Sequence, residues 1–213
     1  AFLVNTPLHP QWMSQNNQQL TQWLKELDAD TVLLDVGCYN SWPKKHLPKD
    51  TKYIGLDSLF LTESRYHTTP DIYADAHYIP FPDQYFHTIL YFDVLEHIEH
   101  IDIALKEAYR TLKPGGNVLI QVPFLYPLHD EPYDFRRLTK HGFYALVEGL
   151  GFIVRDFKYT GHPVETAALL TNIALVKTTL NWFHKKNPLF IFGACVFPLC
   201  ILINNLLASL IAI

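Results

Sequence analysis

Three short apolar runs in the first third of the chain each end on an aspartate, and this pattern restricts the fold more than any other feature. Val32-Leu33-Leu34 leads to Asp35, Tyr53-Ile54-Gly55-Leu56 leads to Asp57, and a shorter run around Ile72 to Ala74 leads to Asp75. Continuous apolar runs of this length suit strands covered on both faces, as in a parallel sheet flanked by helices. Trp12, Leu20, Trp23, Leu24 and Leu27 recur at mostly helical spacing and predict an amphipathic helix over 12–28. Ile101, Ala104, Leu105, Ala108, Tyr109 and Leu112 do the same for 100–112, with Pro114-Gly115-Gly116 ending that helix. Strands are expected at 31–36, 53–56, 72–74, 88–92, 117–122 and 152–159, and helices at 138–150 and 163–183. The expected architecture is α/β: a doubly wound, mostly parallel, Rossmann-like sheet with helices on both faces, followed by hydrophobic C-terminal helices.

In an open parallel sheet, ligands bind beyond the carboxyl ends of the strands. Gly37, just past Asp35, lets backbone approach a ligand there, and an acidic residue at such an edge fixes an amine or a hydroxyl. Asp57 stands where a carboxylate can accept hydrogen bonds from both ribose hydroxyls. Asp75, in Asp75-Ala76-His77, can accept from an adenine amino group. Each alone is equally a turn residue. Together they suit a ligand with an amine, a ribose and an adenine. The glycines that would cradle a pyrophosphate are missing, because Gly37 is followed by Tyr39, Asn40 and Ser41, and this argues against a nicotinamide-dependent oxidoreductase.

At these residues the chain resembles the class I S-adenosylmethionine-dependent methyltransferases, over about residues 31–159. The pieces occur in family order: Leu34-Asp35-Val36-Gly37-Cys38, Tyr53-Ile54-Gly55-Leu56-Asp57, Asp75-Ala76-His77 with Ile79-Pro80-Phe81-Pro82-Asp83, Val94-Leu95-Glu96-His97-Ile98, and Leu112-Lys113-Pro114-Gly115-Gly116. The resemblance implies S-adenosylmethionine as cofactor. Asp35, Gly37 and Cys38 would flank its methionine part, Asp57 and Ser58 its ribose, and Asp75 and Ala76 its adenine. Phe92 and Asp93 would line the pocket near the methyl sulfonium. The chain departs from the family at Tyr39 and Ser41, where a second and third glycine are usual, and at His87, where an aspartate is. The departures at Tyr39 and Ser41 support the alternative of a degenerate, membrane-associated binding or scaffold domain.

The stretch from Val122 to Arg137 is too rich in aromatic, proline and ionisable residues for a plain connector, and loops at this edge carry substrate contacts. It resembles the His-Asp-x-Pro-x-Asp loop of one bacterial subgroup of these enzymes. His129 is the expected catalytic base with Asp130 as its orienter, and Tyr126, Tyr133 and Arg136 are expected to contact the acceptor. Methyl transfer is an in-line displacement, so alignment supplies most of the acceleration. A structural hydrogen-bond and ion-pair network of His129, Asp130 and Arg136 is the competing account. His97 and His100, at i and i+3, lack the further ligands that a zinc site requires, and no metal is expected.

Hydrophobic residues make up 49% of the 213 and charged residues only 18%, and residues 187–213 carry no charge at all. The shortage of charge is therefore local. From Leu189 to Ile213, 20 of 25 residues are hydrophobic, preceded by Trp182, His184, Lys185 and Lys186, which suit a membrane interface. Pro198 is expected to divide this run, and Asn204 and Asn205 are costly in hydrocarbon, so a helical pair lying in one leaflet is expected as readily as a span. Packing as core or in a homodimer interface is the competing account. The family's sheet usually ends in a seventh, antiparallel strand, which is not found before Ile213, so the tail also reads as an insertion.

The expected division is a methyltransferase-like domain over 1–160 and a helical segment over 161–213, with membrane-surface contact through 188–213. The net charge of −4 disfavours nucleic acid as partner. Three cysteines, Cys38 far from the others and Cys195 and Cys200 within the apolar tail, give no disulfide framework, and no secretory signal is seen from Ala1. The expected location is cytoplasmic, peripheral on the cytoplasmic face of a membrane. The expected partner is a small-molecule or lipid-linked acceptor.

Overall fold

The computed structural model describes residues 6–9, 11, 18–63 and 67–212. The chain divides into two compact units, residues 20–157 and residues 1–19 with 158–213. The larger unit carries the sheet. Its elements are α1 (Gln18–Lys25), β1 (Val32–Val36), β2 (Lys52–Asp57), the helical turn α2 (Leu59–Leu61), β3 (Ile72–Tyr73), β4 (Phe86–Phe92), α3 (Ile101–Thr111), β5 (Leu112–Gln121) and α4 (Lys140–Gly149). All strands are parallel in the order β3-β2-β1-β4-β5. The order reverses between β1 and β4, so their carboxyl ends open the crevice where such sheets bind ligands.

Alternation along the strands builds two cores. Leu34 and Val36 of β1 join Ile89 and Tyr91 of β4 on one face, under Ile101, Ala104, Leu105 and Ala108 of α3. Leu33 and Leu90 face the other way, packed with Leu24 of α1 and with Trp42 and Tyr53. Burial on both faces explains why these strands read as unbroken apolar runs. Arg110 staples the loop before β4 to α3: it donates to the carbonyls of Ile79 and Phe81 and to the carboxylates of Asp83 and Glu107.

Four expectations change. Of the helix expected over 12–28, residues 12–17 lie outside the described residues, and the helix runs from Gln18 to Lys25. The Pro-Gly-Gly turn does not precede β5. Leu112 already pairs with Phe86, and the ladder resumes at Asn117 opposite Thr88 after an irregularity. The sixth strand at 152–159 is absent among the described residues. Phe152 and Val154 pack on the core while Ile153 is 85% exposed, so the segment has strand-like alternation without a ladder partner.

The fourth change lies in the smaller unit, where α5 (Pro163–His184) is followed by one continuous helix, α6 (Leu189–Ile211), with Pro198 inside it. The expected break at Pro198 does not occur. Asn204 and Asn205 do not face outward either: the Asn172 amide donates to Asn205 Oδ1 at 2.7 Å, and the Asn204 amide donates to Asn172 Oδ1 at 2.8 Å and to the Ala168 carbonyl at 3.0 Å.

Candidate functional site

The loop leaving β1 is fixed by packing and by Asp57. Gly37 has φ of +71°, and a Cβ there would lie 2.4 Å from Val94 Cγ2, so neither another side chain nor an ordinary backbone fits. Tyr39 and Ser41 replace the usual glycines yet keep left-handed φ values of 44° and 54°. The turn that glycine normally permits is therefore retained at a strain of order 1 kcal/mol per residue. Asp57 holds it in place, with Oδ2 accepting from the Tyr39 amide at 2.9 Å and Oδ1 from the Ser58 amide at 2.7 Å. Burial pushes the Asp57 carboxyl above its usual range, against the pull of those two amides.

Asp35 departs from expectation. It is 2% exposed, and its Oδ2 accepts from the Tyr53 hydroxyl at 2.6 Å, so its carboxyl supports the loop from beneath instead of lying open at the edge. Desolvation pushes it up to about 7. Cys38 is also buried, with its thiol raised to about 12 by burial, and serves as packing against Gly55. Asp75 does stand open, with Oδ1 engaged by the His77 ring and amide. Ala76 packs on the main core. Phe92 turns from the edge to stack on Trp42, ring centroids 5.8 Å apart, and so braces the loop after β1.

A second group of residues gathers beyond β4. Asp93 takes a left-handed φ of 53° and is held by the Gln121 amide at 2.8 Å. Burial raises its carboxyl, opposed by the His129 and His97 imidazoles. The 123–137 loop is stitched to the segment after Asp93 by His97 Nδ1 to the Tyr133 carbonyl at 2.7 Å, by the Phe135 amide to the Glu96 carbonyl at 2.9 Å, and by Arg136 to the Glu99 carbonyl. Arg136 therefore secures the loop. Tyr126 lies edge-on to His129 at 5.1 Å, and Tyr133 packs on Phe60.

His129 is oriented by Asp134, a correction to the expected Asp130. Asp134 Oδ2 lies 3.2 Å from His129 Nδ1 and also accepts the His129 amide, while Arg137 pairs with the same carboxylate at 2.7 Å. Arg137 holds the Asp134 carboxyl far below its ordinary value. His97 and His100 part company: His97 meets His129, and His100 meets His77. Glu96, absent from the expected site residues, lies between His97 and His129 at 3.8 and 3.9 Å from their Nε2 atoms. Only its buried side chain distinguishes it, and no spacing rule singles it out.

A five-stranded parallel sheet of this order is a Rossmann-like sheet, a fold shared with solved S-adenosylmethionine-dependent methyltransferases. Residues 34–120 match the family model described as a methyltransferase domain. Over 63 residues the chain is 44% identical to a ubiquinone/menaquinone biosynthesis C-methyltransferase of Neisseria meningitidis, which covers 29% of this chain and 26% of the relative. The chain thus spans about a quarter of the length of the curated relatives it matches. Among solved structures it is similar to an S-adenosylmethionine-dependent methyltransferase of Aquifex aeolicus, at 14% identity and a TM-score of 0.53, covering 73% of this chain and 93% of that one. It is also similar to the cyclase SpnF, at 19% identity and a TM-score of 0.57, covering 86% and 74%. Likeness at this level concerns fold alone, and a cyclase among the neighbours shows that the fold does not dictate the reaction.

Proposed function

We propose that the chain is an S-adenosylmethionine-dependent methyltransferase acting on a small-molecule or lipid-linked acceptor. The observation that carries this reading is the turn from Gly37 to Ser41, which keeps its left-handed course without its second and third glycines and is tied to Asp57 by the Tyr39 amide. Strain of this kind persists where the surroundings over-determine it, commonly at functional sites. The residues present fit the cofactor. Each Asp57 oxygen spends one lone pair on a backbone amide and retains another for a ribose hydroxyl.

Asp57 and Ser58 would hold the ribose, Asp75 and Ala76 the adenine, and the backbone from Gly37 to Ser41 the methionine part. The bound cofactor supplies an electrophilic methyl group on a sulfonium. The chain's own residues align the acceptor and exclude water, which is most of what such a displacement requires. The 123–137 loop is stitched to residues 96–99, with the His129 Nε2 facing Glu96. That Nε2 is the atom placed to take a proton from an acceptor hydroxyl or carbon acid. Calorimetric titration with S-adenosylmethionine and its demethylated product tests this reading. One site with micromolar affinity is expected, and heats indistinguishable from dilution would overturn it.

We further propose contact with the cytoplasmic face of a membrane, supported by α6. It is long and apolar enough to cross a bilayer by length and composition, and Ile191, Phe192, Leu199, Leu206, Leu207 and Leu210 on it are each at least half exposed. The asparagines point to α5, which removes the main cost of placing the opposite face against lipid. Free cysteines suit a reducing compartment. Co-sedimentation with liposomes is the expected result, and a detergent-free protein that stays in the supernatant would refute the contact. The names of the curated relatives, from ubiquinone/menaquinone biosynthesis, are consistent with an apolar acceptor.

A further inference from the structure

We infer that Glu96, His97 and His129 form a binding site for one divalent first-row transition-metal ion. Glu96 is 2% exposed, and neither oxygen of its carboxylate has a hydrogen-bond partner. A buried carboxylate in that condition is costly, and a bound cation is one of the few ways to resolve it. Both imidazoles turn their Nε2 atoms to Glu96 Oε1, at 3.8 and 3.9 Å, and one ligand atom from each of the three residues lies within 4.8 Å of the others.

Tautomers decide whether those nitrogens can ligate. His97 Nδ1 lies 2.7 Å from the Tyr133 carbonyl, which can only accept, so Nδ1 carries the hydrogen and Nε2 carries the lone pair. His129 Nδ1 faces the Asp134 carboxylate at 3.2 Å and the Pro127 carbonyl at 3.4 Å, which fixes the same tautomer. Arg137 Nη2 also comes within 3.4 Å of that nitrogen, but it lies closer to Asp134 Oδ2, at 2.7 Å. A carbonyl behind one imidazole and a carboxylate behind the other are the outer partners that metal-ligating histidines use.

The spacing is close to that of a bound ion. Ligands at about 2.0–2.2 Å from a tetrahedral centre lie about 3.4 Å apart, so each imidazole needs to close on Glu96 Oε1 by about half an ångström. Two nitrogens and one carboxylate leave at least one coordination position open, and mixed imidazole and carboxylate ligation suits zinc, manganese, iron or cobalt better than magnesium. A bound ion takes the lone pair of His129 Nε2, so in the loaded protein it stands in place of that proton acceptor and is available to hold an oxygen of the acceptor beside the 123–137 loop. That last role rests on the methyltransferase reading, whereas the ion site itself does not.

The test uses the full chain carrying no histidine tag, stripped with chelator and titrated with zinc and with cobalt, with and without S-adenosylhomocysteine. One equivalent bound in the absence of the cofactor product is expected, with cobalt giving visible d–d absorption. Glu96→Gln, His97→Gln and His129→Gln should each weaken binding by about 100-fold or more, since even outer partners cost about 10–100-fold. His100→Gln should leave it unchanged. Should a variant not fold, the ring-nitrogen shifts in the intact protein decide: zinc should move those of His97 and His129 and leave those of His77 and His100. No stoichiometric binding, or binding that survives Glu96→Gln and His129→Gln, overturns the site. Metal binding without cofactor binding would overturn the proposed methyl transfer and leave the site standing.

Discussion

The Tyr53 hydroxyl on β2 donates to the Asp35 carboxylate on β1 at 2.6 Å, across a pair in which Asp35 stands opposite Gly55 and Tyr53 opposite Leu33. It is thus a diagonal contact, made over the gap left by a glycine. Asp35 is held at about 7 against an ordinary 3.8, chiefly by desolvation. A carboxyl raised on folding stabilises the protein fully below the unfolded value and loses that contribution as pH rises through the folded one. Urea unfolding should therefore show stability falling between pH 4 and 8, by up to a few kcal/mol at 1.36 kcal/mol per unit. Asp35→Asn should flatten that fall.

Tyr53→Phe should cost about 1–3 kcal/mol by leaving a buried oxygen without a donor, and more at pH 8 than at pH 5, because a bond to the ionised carboxylate is stronger. Equal losses at the two pH values would show that Asp35 does not titrate in this interval.

Gly37→Ala meets both a positive φ and the Val94 methyl at 2.4 Å. A loss of about 3 kcal/mol is expected from overpacking and strain together. Val94→Ala in the same chain should restore part of it and leave the strain, as read by the midpoint of denaturant unfolding.

Asp57→Asn replaces one acceptor with a donor that faces the Tyr39 or Ser58 amide. Stability should fall by about 1–3 kcal/mol. Affinity for S-adenosylhomocysteine should fall by at least tenfold, or 1.4 kcal/mol. Unchanged affinity in calorimetry would remove Asp57 from the cofactor site.

Arg110→Ala should release the loop holding Ile79, Phe81 and Asp83, since one guanidinium satisfies two carbonyls and two carboxylates there. About 2 kcal/mol is expected, discounted for partial exposure. Protease cleavage near Phe81 should become faster, and an unchanged digestion pattern would count against the staple.

The parts of the fold that depend on neighbours in sequence were legible without coordinates. Asp35, Asp57 and Asp75 mark strand ends because each closes an apolar run, and α3 announced itself by its spacing. The misreadings concern features that spacing along the chain does not decide. Residues 152–159 alternate like a strand, yet no ladder meets them. Pro198 reads as a break, but α6 continues through it. Asp130, next to His129, reads in sequence as its orienter, whereas the course of the loop delivers Asp134. Glu96 stands in the sequence only as part of the Val94-to-Ile98 motif, and only folding shows it buried between two imidazoles.

Two apolar helices laid side by side have little reason to prefer one sliding position over another, because every rung offers similar methyl groups. Asn172 on α5, gripping Asn204 and Asn205 on α6, removes that freedom. A slip of one turn, about 5.4 Å, would strand three amides in an apolar seam. The joint between α5 and α6 is keyed, and its outer surface can exchange one greasy neighbour for another while the alignment of the two helices stays fixed.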